Sequence, residues 1–134
     1  MQVEQTDSVP IATDDDIVRV RQVVRDWAVR IGFSLVDQTK LVTAASELAR
    51  NTLVYGRGGS LRLERLADER RTGLRLSFED QGPGIPDVEL ALKDGFTTGS
   101  GLGLGLSGAR RLSQDFQVTS RVGEGTRVVI GRWK

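Results

Sequence analysis

Between Phe78 and Ala109 the chain reads FEDQGPGIPD, a short acidic and apolar interlude, and then GFTTGSGLGLGLSGA. A strand-like alternation ends in Asp80, Gly82-Pro83-Gly84 follows, and later Gly101, Gly103 and Gly105 alternate with leucines before a helical pattern begins. Glycine is used where a backbone must take positive φ or come close to a ligand. A glycine-rich turn that feeds a helix N-terminus presents unpaired N–H groups and the positive end of the helix dipole, which suits phosphate. The region is therefore expected to form a hinged lid (88–103) over a nucleotide's phosphates, with Asp80 beneath it. Its glycines and lack of periodicity predict a mobile segment.

The rest of the chain supplies a scaffold for that lid. Residues 2–12, interrupted by Pro10, read as an edge strand. Thr13 followed by three aspartates, with Asp16 in the capping-box position, predicts a helix start. Its apolar face is Ile17, Val20, Val24, Trp27, Ala28 and Ile31, and Gly32 ends it. Arg19, Arg25 and Arg30 face away, as a solvated surface or a docking face. A second helix is expected from Ser34 to about Tyr55, with Leu35, Gln38, Leu41, Val42, Ala45, Leu48, Ala49 and Leu53 on its apolar side. Gln38 is the polar exception. Glu47 and Asn51 are four apart and share a face.

Two alternating strands follow, 60–66 and 73–80, joined by a charged turn. In the second, Leu74, Leu76, Phe78 and Asp80 lie on one face, so an apolar row ends in a carboxylate. Such a group needs partners, and either caps the turn or meets a ligand. After the lid come a helix to about Gln114, a strand over 116–122, the turn GEG and a final strand over 126–133, where Thr126 opens an apolar row. Short turns between consecutive strands imply antiparallel pairing, and grouped helices imply one layer against one sheet. The expectation is an α+β fold in a single domain, 1–134.

Composition narrows the chemistry. The 134 residues carry a net charge of +1, so no global field favours nucleic acid or an acidic membrane. With no histidine and no cysteine, Ser-His-Asp catalysis, histidine or thiolate metal sites, disulfides and histidine autophosphorylation on this chain are excluded. The absence of cysteine fits a cytoplasmic protein, and no apolar run reaches the length of a membrane span.

GSGLGLG is not a Walker A loop, because no Gly-Lys-Ser/Thr follows, nor a Rossmann fingerprint, because its glycines follow a loop instead of a strand. Alone it is weak evidence. Four blocks in order are stronger: Glu47-x-x-x-Asn51 on a helix, Asp80-x-Gly82-x-Gly84 at a strand end, Gly101-x-Gly103-x-Gly105 opening a helix, and Gly123-x-Gly125-Thr126. Taken singly, each block fits ordinary turns or a solvated pair. Together, across nearly the whole chain, they resemble the GHKL ATPase/kinase superfamily.

That resemblance implies a Bergerat fold: an α/β sandwich of a mixed, largely antiparallel sheet against a helix layer, with a Gly-rich ATP lid. It implies ATP and Mg²⁺, with Asn51 as the metal ligand and Glu47 as the general base. Asp80 would accept from the adenine amino group, supported by Thr126, and Gly82 and Gly84 would let the backbone pass close to base and ribose. The lid stretch Thr98, Gly99, Ser100, Gly101, Leu102, Gly103, Leu104, Gly105 and Leu106 would contact the nucleotide, its glycines donating N–H groups to the phosphates. These residue types suit such roles, since Mg²⁺ takes few protein ligands and a carboxylate can accept a hydroxyl proton.

Within the superfamily, SELARNTLVYG (46–56), EDQGPGIPD (79–87), DGFTTGSGLGLGLSGARRL (94–112) and GEGT (123–126) are similar to RsbT-type serine/threonine kinases. The resemblance implies phosphorylation of Ser or Thr on a STAS-domain antagonist, RsbS- or RsbR-like, in a stressosome. Release of the kinase would then activate an RsbU-like phosphatase by binding. No nucleic acid or membrane partner is expected, and at most a weak homodimer. The alternative is an anti-sigma factor of the RsbW or SpoIIAB type, which binds a sigma factor and phosphorylates its antagonist. A histidine kinase catalytic domain shares the motifs, but acts on a histidine that this chain lacks.

Overall fold

Helix starts are the most local features of the chain, and both long helices begin where the capping residues stand. A computed structural model describes residues 1–93 and 104–134. Helix α1 (Asp14–Ile31) starts at Thr13, whose extended backbone and side chain accept the Asp16 N–H while the Asp16 carboxylate takes the N–H groups of Ala12 and Thr13. The Ala12 N–H leads the effects that hold the Asp16 carboxyl below its usual range. Gly32 closes α1 in the left-handed region at φ 99°. The buried residues of α1 are the six expected apolar ones.

Helix α2 (Leu35–Val54) begins at Ser34, which accepts from the Asp37 N–H. Gln38, the exception on its apolar side, is satisfied: it donates to the Phe33 carbonyl at 3.0 Å and accepts from Arg25 at 3.2 Å. Leu35, expected inside, is 70% exposed. The buried stripe is Leu41, Ala44, Ala45, Leu48, Ala49 and Thr52. At 3.6 residues per turn Leu35 lies about 120° round the helix from Leu41, outside that stripe.

The strands are β1 (Gln2–Ile11), β2 (Gly59–Ala67), β3 (Thr72–Asp80), β4 (Asp115–Arg121) and β5 (Gly125–Trp133), with order β1-β2-β3-β5-β4. All four pairings are antiparallel. Helices α1 and α2 stand between β1 and β2 in the chain, and β2 pairs antiparallel to β1. Pro10 sits on edge strand β1, where a missing N–H is tolerated. The core lies between one face of the sheet (Val9, Ile11, Leu61, Leu63, Leu74, Leu76, Phe78, Val128, Ile130) and helices α1 and α2. On the other face, Glu64 and Arg75 are cross-strand partners joined at 2.9 Å, and Arg75 holds the Glu64 carboxyl low.

A single helical turn, α3 (Val88–Ala91), capped by Asp87, stands where the lid was expected to begin. The remainder of that expected lid, including its predicted mobility, falls on 94–103, outside the described residues. Helix α4 (Leu104–Arg111) stops short of Gln114. There the Gln114 N–H already bonds the Gly131 carbonyl, and its side chain accepts from the Trp133 N–H, drawing the chain into the sheet.

Two substitutions separate local from tertiary stabilisation. Thr13→Ala should lower the unfolding free energy by about 1 kcal/mol through loss of the cap. Leu76→Ala, at a position with 0% exposure, should lower it by about 2–5 kcal/mol. Urea unfolding of both variants measures the difference.

Candidate functional site

The apolar face of the sheet ends in a polar row. Ser120 of β4 pairs with Thr126 of β5, and Thr126 pairs with Asp80 of β3, so three polar side chains stand side by side across three strands. The hydroxyls of Ser120 and Thr126 are 2.8 Å apart. Ser120 also accepts the Ile85 N–H at 2.7 Å and reaches the Gly125 carbonyl at 3.1 Å. Asp80 and Thr126 are each 9% exposed.

Asp80 is both a turn cap and a buried carboxylate. Its Oδ1 accepts the Gly82 N–H at 2.9 Å. Burial pushes its carboxyl above the usual range. The N–H groups of Gly82 and Thr126 oppose that shift, and the neighbouring Glu79 charge adds to it. One oxygen is thus held by the turn, while the group keeps capacity to accept from elsewhere.

The glycines around Asp80 are packed against the chain itself. A Cβ at Gly56 would lie 2.4 Å from the Asp80 carboxyl carbon, and one at Gly82 would lie 2.8 Å from the Gly56 Cα. Gly84 has φ 80°, and a Cβ there would meet the Arg121 carbonyl at 2.3 Å. The Tyr55 hydroxyl donates to the Gly84 carbonyl at 2.8 Å, tying the end of α2 to the loop after β3. Gly82 and Gly84 thus each stand where the loop after β3 comes close to other backbone of the chain. Gly56 was not among the expected site residues, although its place directly after the second helix was the available sign.

Asn51 enters the same region from α2. It is half-buried, and its side-chain Nδ2 is buried without a partner. Orphaned buried amides are costly and mark places where another group belongs. Glu47, one turn earlier, is exposed. Asn51, Asp80 and Thr126 line one cavity with Leu48, Thr52, Tyr55, Phe78, Ile85, Leu106 and Val128. Its volume is about 20 Å³, against roughly 300–1,000 Å³ for small-molecule sites in general. Leu106, 1% exposed, forms one wall. A cavity of that size holds no ligand larger than a water unless its walls shift.

Leu104 and Gly105 lie in the first turn of α4. Thr98, Gly99, Ser100, Gly101, Leu102 and Gly103 are outside the described residues. Among the described residues no cluster of three or more His, Cys, Asp or Glu side chains could hold a metal. A metal here would rest on few protein ligands, as Mg²⁺ does when phosphate oxygens and waters complete its shell. Asn51 lines the cavity, and its amide oxygen is the atom that fits that donor set; its unpartnered Nδ2 can only donate a hydrogen bond. A larger cavity, about 580 Å³, lies around Arg75, Asp115 and Trp133 and includes none of the expected site residues.

The family model for histidine kinase-, DNA gyrase B- and HSP90-like ATPases matches residues 36–134. The serine/threonine-protein kinase RsbT of Bacillus subtilis (strain 168) is 46% identical over 125 residues, which covers 93% of this chain and 94% of that protein. The crystal structure of the RsbU and RsbW domains of Rv1364c from Mycobacterium tuberculosis superposes with a TM-score of 0.66 at 20% identity, over 97% of this chain and 33% of that one. This chain thus spans about a third of that longer structure. The mycobacterial sensor histidine kinase MprB superposes with a TM-score of 0.58 at 18% identity, over 96% and 97% of the two chains. At such identities the two structures show a shared fold.

Because Asp80 has a raised pKa, the folded state binds its proton more tightly than the unfolded state does. Its contribution to stability is greatest at low pH and is lost as pH rises through the folded value. Asp80→Asn keeps an acceptor for the Gly82 N–H and removes the buried charge. The ligand-free variant should therefore melt above wild type at pH 7, and the gap should close as pH falls. Thermal unfolding between pH 4 and pH 7 checks both parts.

Proposed function

This chain belongs to the histidine kinase-, DNA gyrase B- and HSP90-like ATPases and, within them, to the RsbT serine/threonine-protein kinases; from that premise we propose the substrate, partners and residue roles. It is an ATP-dependent kinase, and the reading that fits it best is transfer of the γ-phosphate to Ser or Thr of a STAS-domain antagonist of the RsbS or RsbR kind. Released from that antagonist, the kinase would bind and activate an RsbU-like phosphatase. We read residues 1–134 as one such kinase domain working in the cytoplasm. No described helix is long and apolar enough to cross a membrane. The 46% identity to a kinase named RsbT favours this over an anti-sigma factor as the principal role.

The observation that carries the site assignment is the convergence of Asp80, Thr126 and Asn51, whose Nδ2 is buried without a partner, on one cavity. In this reading Asp80 accepts from the adenine amino group, and Thr126 supports it. Asn51 supplies an amide oxygen to Mg²⁺, a hard ligand for a hard ion. When bound, ATP brings the transferable phosphoryl group and Mg²⁺ neutralises its charge. Glu47 takes the proton from the substrate hydroxyl. Its exposure suits that task, because the hydroxyl arrives on a second protein and must reach the base from solvent. The glycines of the 98–106 stretch would hold the phosphates through backbone N–H groups.

The two roles on α2 separate experimentally. Asn51→Ala should reduce phosphoryl transfer to background while the protein stays folded, and should weaken Mg²⁺-dependent ATP binding. Glu47→Ala should keep ATP affinity within about threefold and lose about 10²–10⁴ in transfer rate. Calorimetric titration with ATP and Mg²⁺ beside a labelled-ATP transfer assay gives both quantities.

The partner assignment is tested by incubating the purified chain with labelled ATP, Mg²⁺ and a lysate of its own host. The expected product is phosphoserine or phosphothreonine on a small STAS protein, identified by mass spectrometry. Retention of a sigma factor without such labelling would move the protein to the anti-sigma class.

A further inference from the structure

The polar row Ser120–Thr126–Asp80 contains a residue that no motif includes. Ser120 lies on β4 facing the helices, in register with Thr126, at the end of the alternation Phe116, Val118, Ser120. Its hydroxyl meets three groups: the Ile85 N–H at 2.7 Å, the Gly125 carbonyl at 3.1 Å and the Thr126 hydroxyl at 2.8 Å.

Proton counting orders this cluster. A serine hydroxyl has one proton to donate and two lone pairs to accept with. The Ile85 N–H can only donate to it, and the Gly125 carbonyl can only accept from it. If Ser120 donates to Gly125, Thr126 must donate to Ser120, and all three hydrogen bonds are made. If Ser120 instead donates to Thr126, the contact with Gly125 has no proton and only two bonds are made. The first arrangement satisfies the hydroxyl completely. It also turns the Thr126 proton away from the ligand cavity, so that Thr126 offers its lone pairs there, beside the Asp80 carboxylate.

We propose that Ser120 is a positioning residue for base selection: by holding the Thr126 proton it makes the polar end of the cavity acceptor-only, which favours a purine carrying an exocyclic amino group over one carrying a carbonyl at the same place. The proposal rests on the nucleotide reading above and assigns it a discriminating device. An amino group at the purine 6-position donates to Asp80 and meets no rival donor. A 6-carbonyl meets two acceptors and no donor. Without Ser120 the Thr126 hydroxyl is free to rotate and donate to that carbonyl.

The test compares dissociation constants of Mg²⁺-ATP and Mg²⁺-ITP by calorimetry, since the two differ in the 6-amino and 6-oxo groups and the N1 proton that accompanies the carbonyl. Wild type should prefer ATP. Ser120→Ala should lower the ITP-to-ATP ratio of dissociation constants about tenfold, the scale of one hydrogen bond. Ser120→Thr, which keeps the hydroxyl, should restore the wild-type ratio. Thr126→Val should shift the ratio, and adding Ser120→Ala to it should produce no further change, because the effect runs through Thr126. If Ser120→Ala does not fold, Ser120→Cys keeps the volume with a weak donor and should shift the ratio in the same direction.

Equal weakening of both nucleotides, with the ratio unchanged, would make Ser120 a structural brace for Ile85 and overturn the inference. Additive effects of Ser120→Ala and Thr126→Val on the ratio would do the same. Wild type that binds neither nucleotide would instead remove the nucleotide site itself, and this inference with it.

Discussion

The buried carboxylate of Asp80 is the constraint on which the rest of the site depends. An ionisable group at the end of an apolar strand face loses hydration, and its carboxyl is accordingly pushed upward. The surrounding structure offsets part of that cost with N–H groups from Gly82 and Thr126. For those donors to reach it, β5 must lie beside β3 in the register that sets Thr126 opposite Asp80. The turn after β3 must also fold back at once, which Gly82 allows by packing on Gly56. A fold selected for stability alone would place an apolar residue here. The carboxylate here caps the turn through the Gly82 N–H and, in the function proposed above, is also the group that meets the ligand.

The scaffold is built so that this end of the sheet stays well defined. Helices α1 and α2 cover the apolar face, and their starts are set by Thr13 and Ser34. Ala44, Ala45 and Ala49 stand on the buried face of α2, and Asn51 in its last turns lines the cavity. Tyr55 and Ser120 then tie the loop after β3 from two sides, one through the Gly84 carbonyl and the other through the Ile85 N–H. Leu106, in the helix that follows the glycine run, lines the cavity between these elements.

Much of this was legible from residue patterns because it is local. The cap at Thr13, the stop at Gly32 and the six buried positions of α1 follow from spacing along one helix. The strands emerged within one or two residues of their expected ends, since alternation and turn residues are both short-range signals. Leu35 failed for the opposite reason: its type said core, while its angular position lay off the stripe that α2 buries. Gln38 succeeded as an exception because Arg25 and the Phe33 carbonyl satisfy it. The end of α4 was misplaced because Gln114 answers to β5, a partner far along the chain.

By itself the sequence determined the element order, the helix faces, the apolar rows ending in Asp80 and Thr126, and the four motif blocks that mark the family. Those are properties of residue type and spacing, and periodicity reports them faithfully. Only the tertiary structure decided what stands beside each of them. The insertion of β5 between β3 and β4 joins Ser120, Thr126 and Asp80 into one row, although Ser120 is 35 residues from the Ile85 that it also holds. It likewise set Gly56 against Asp80, left the Asn51 Nδ2 without a partner and placed Leu106 in the lining of the cavity. Strand alternation tells which face a side chain takes, but its neighbour across the sheet depends on strand order and register, which are settled by packing of the whole chain.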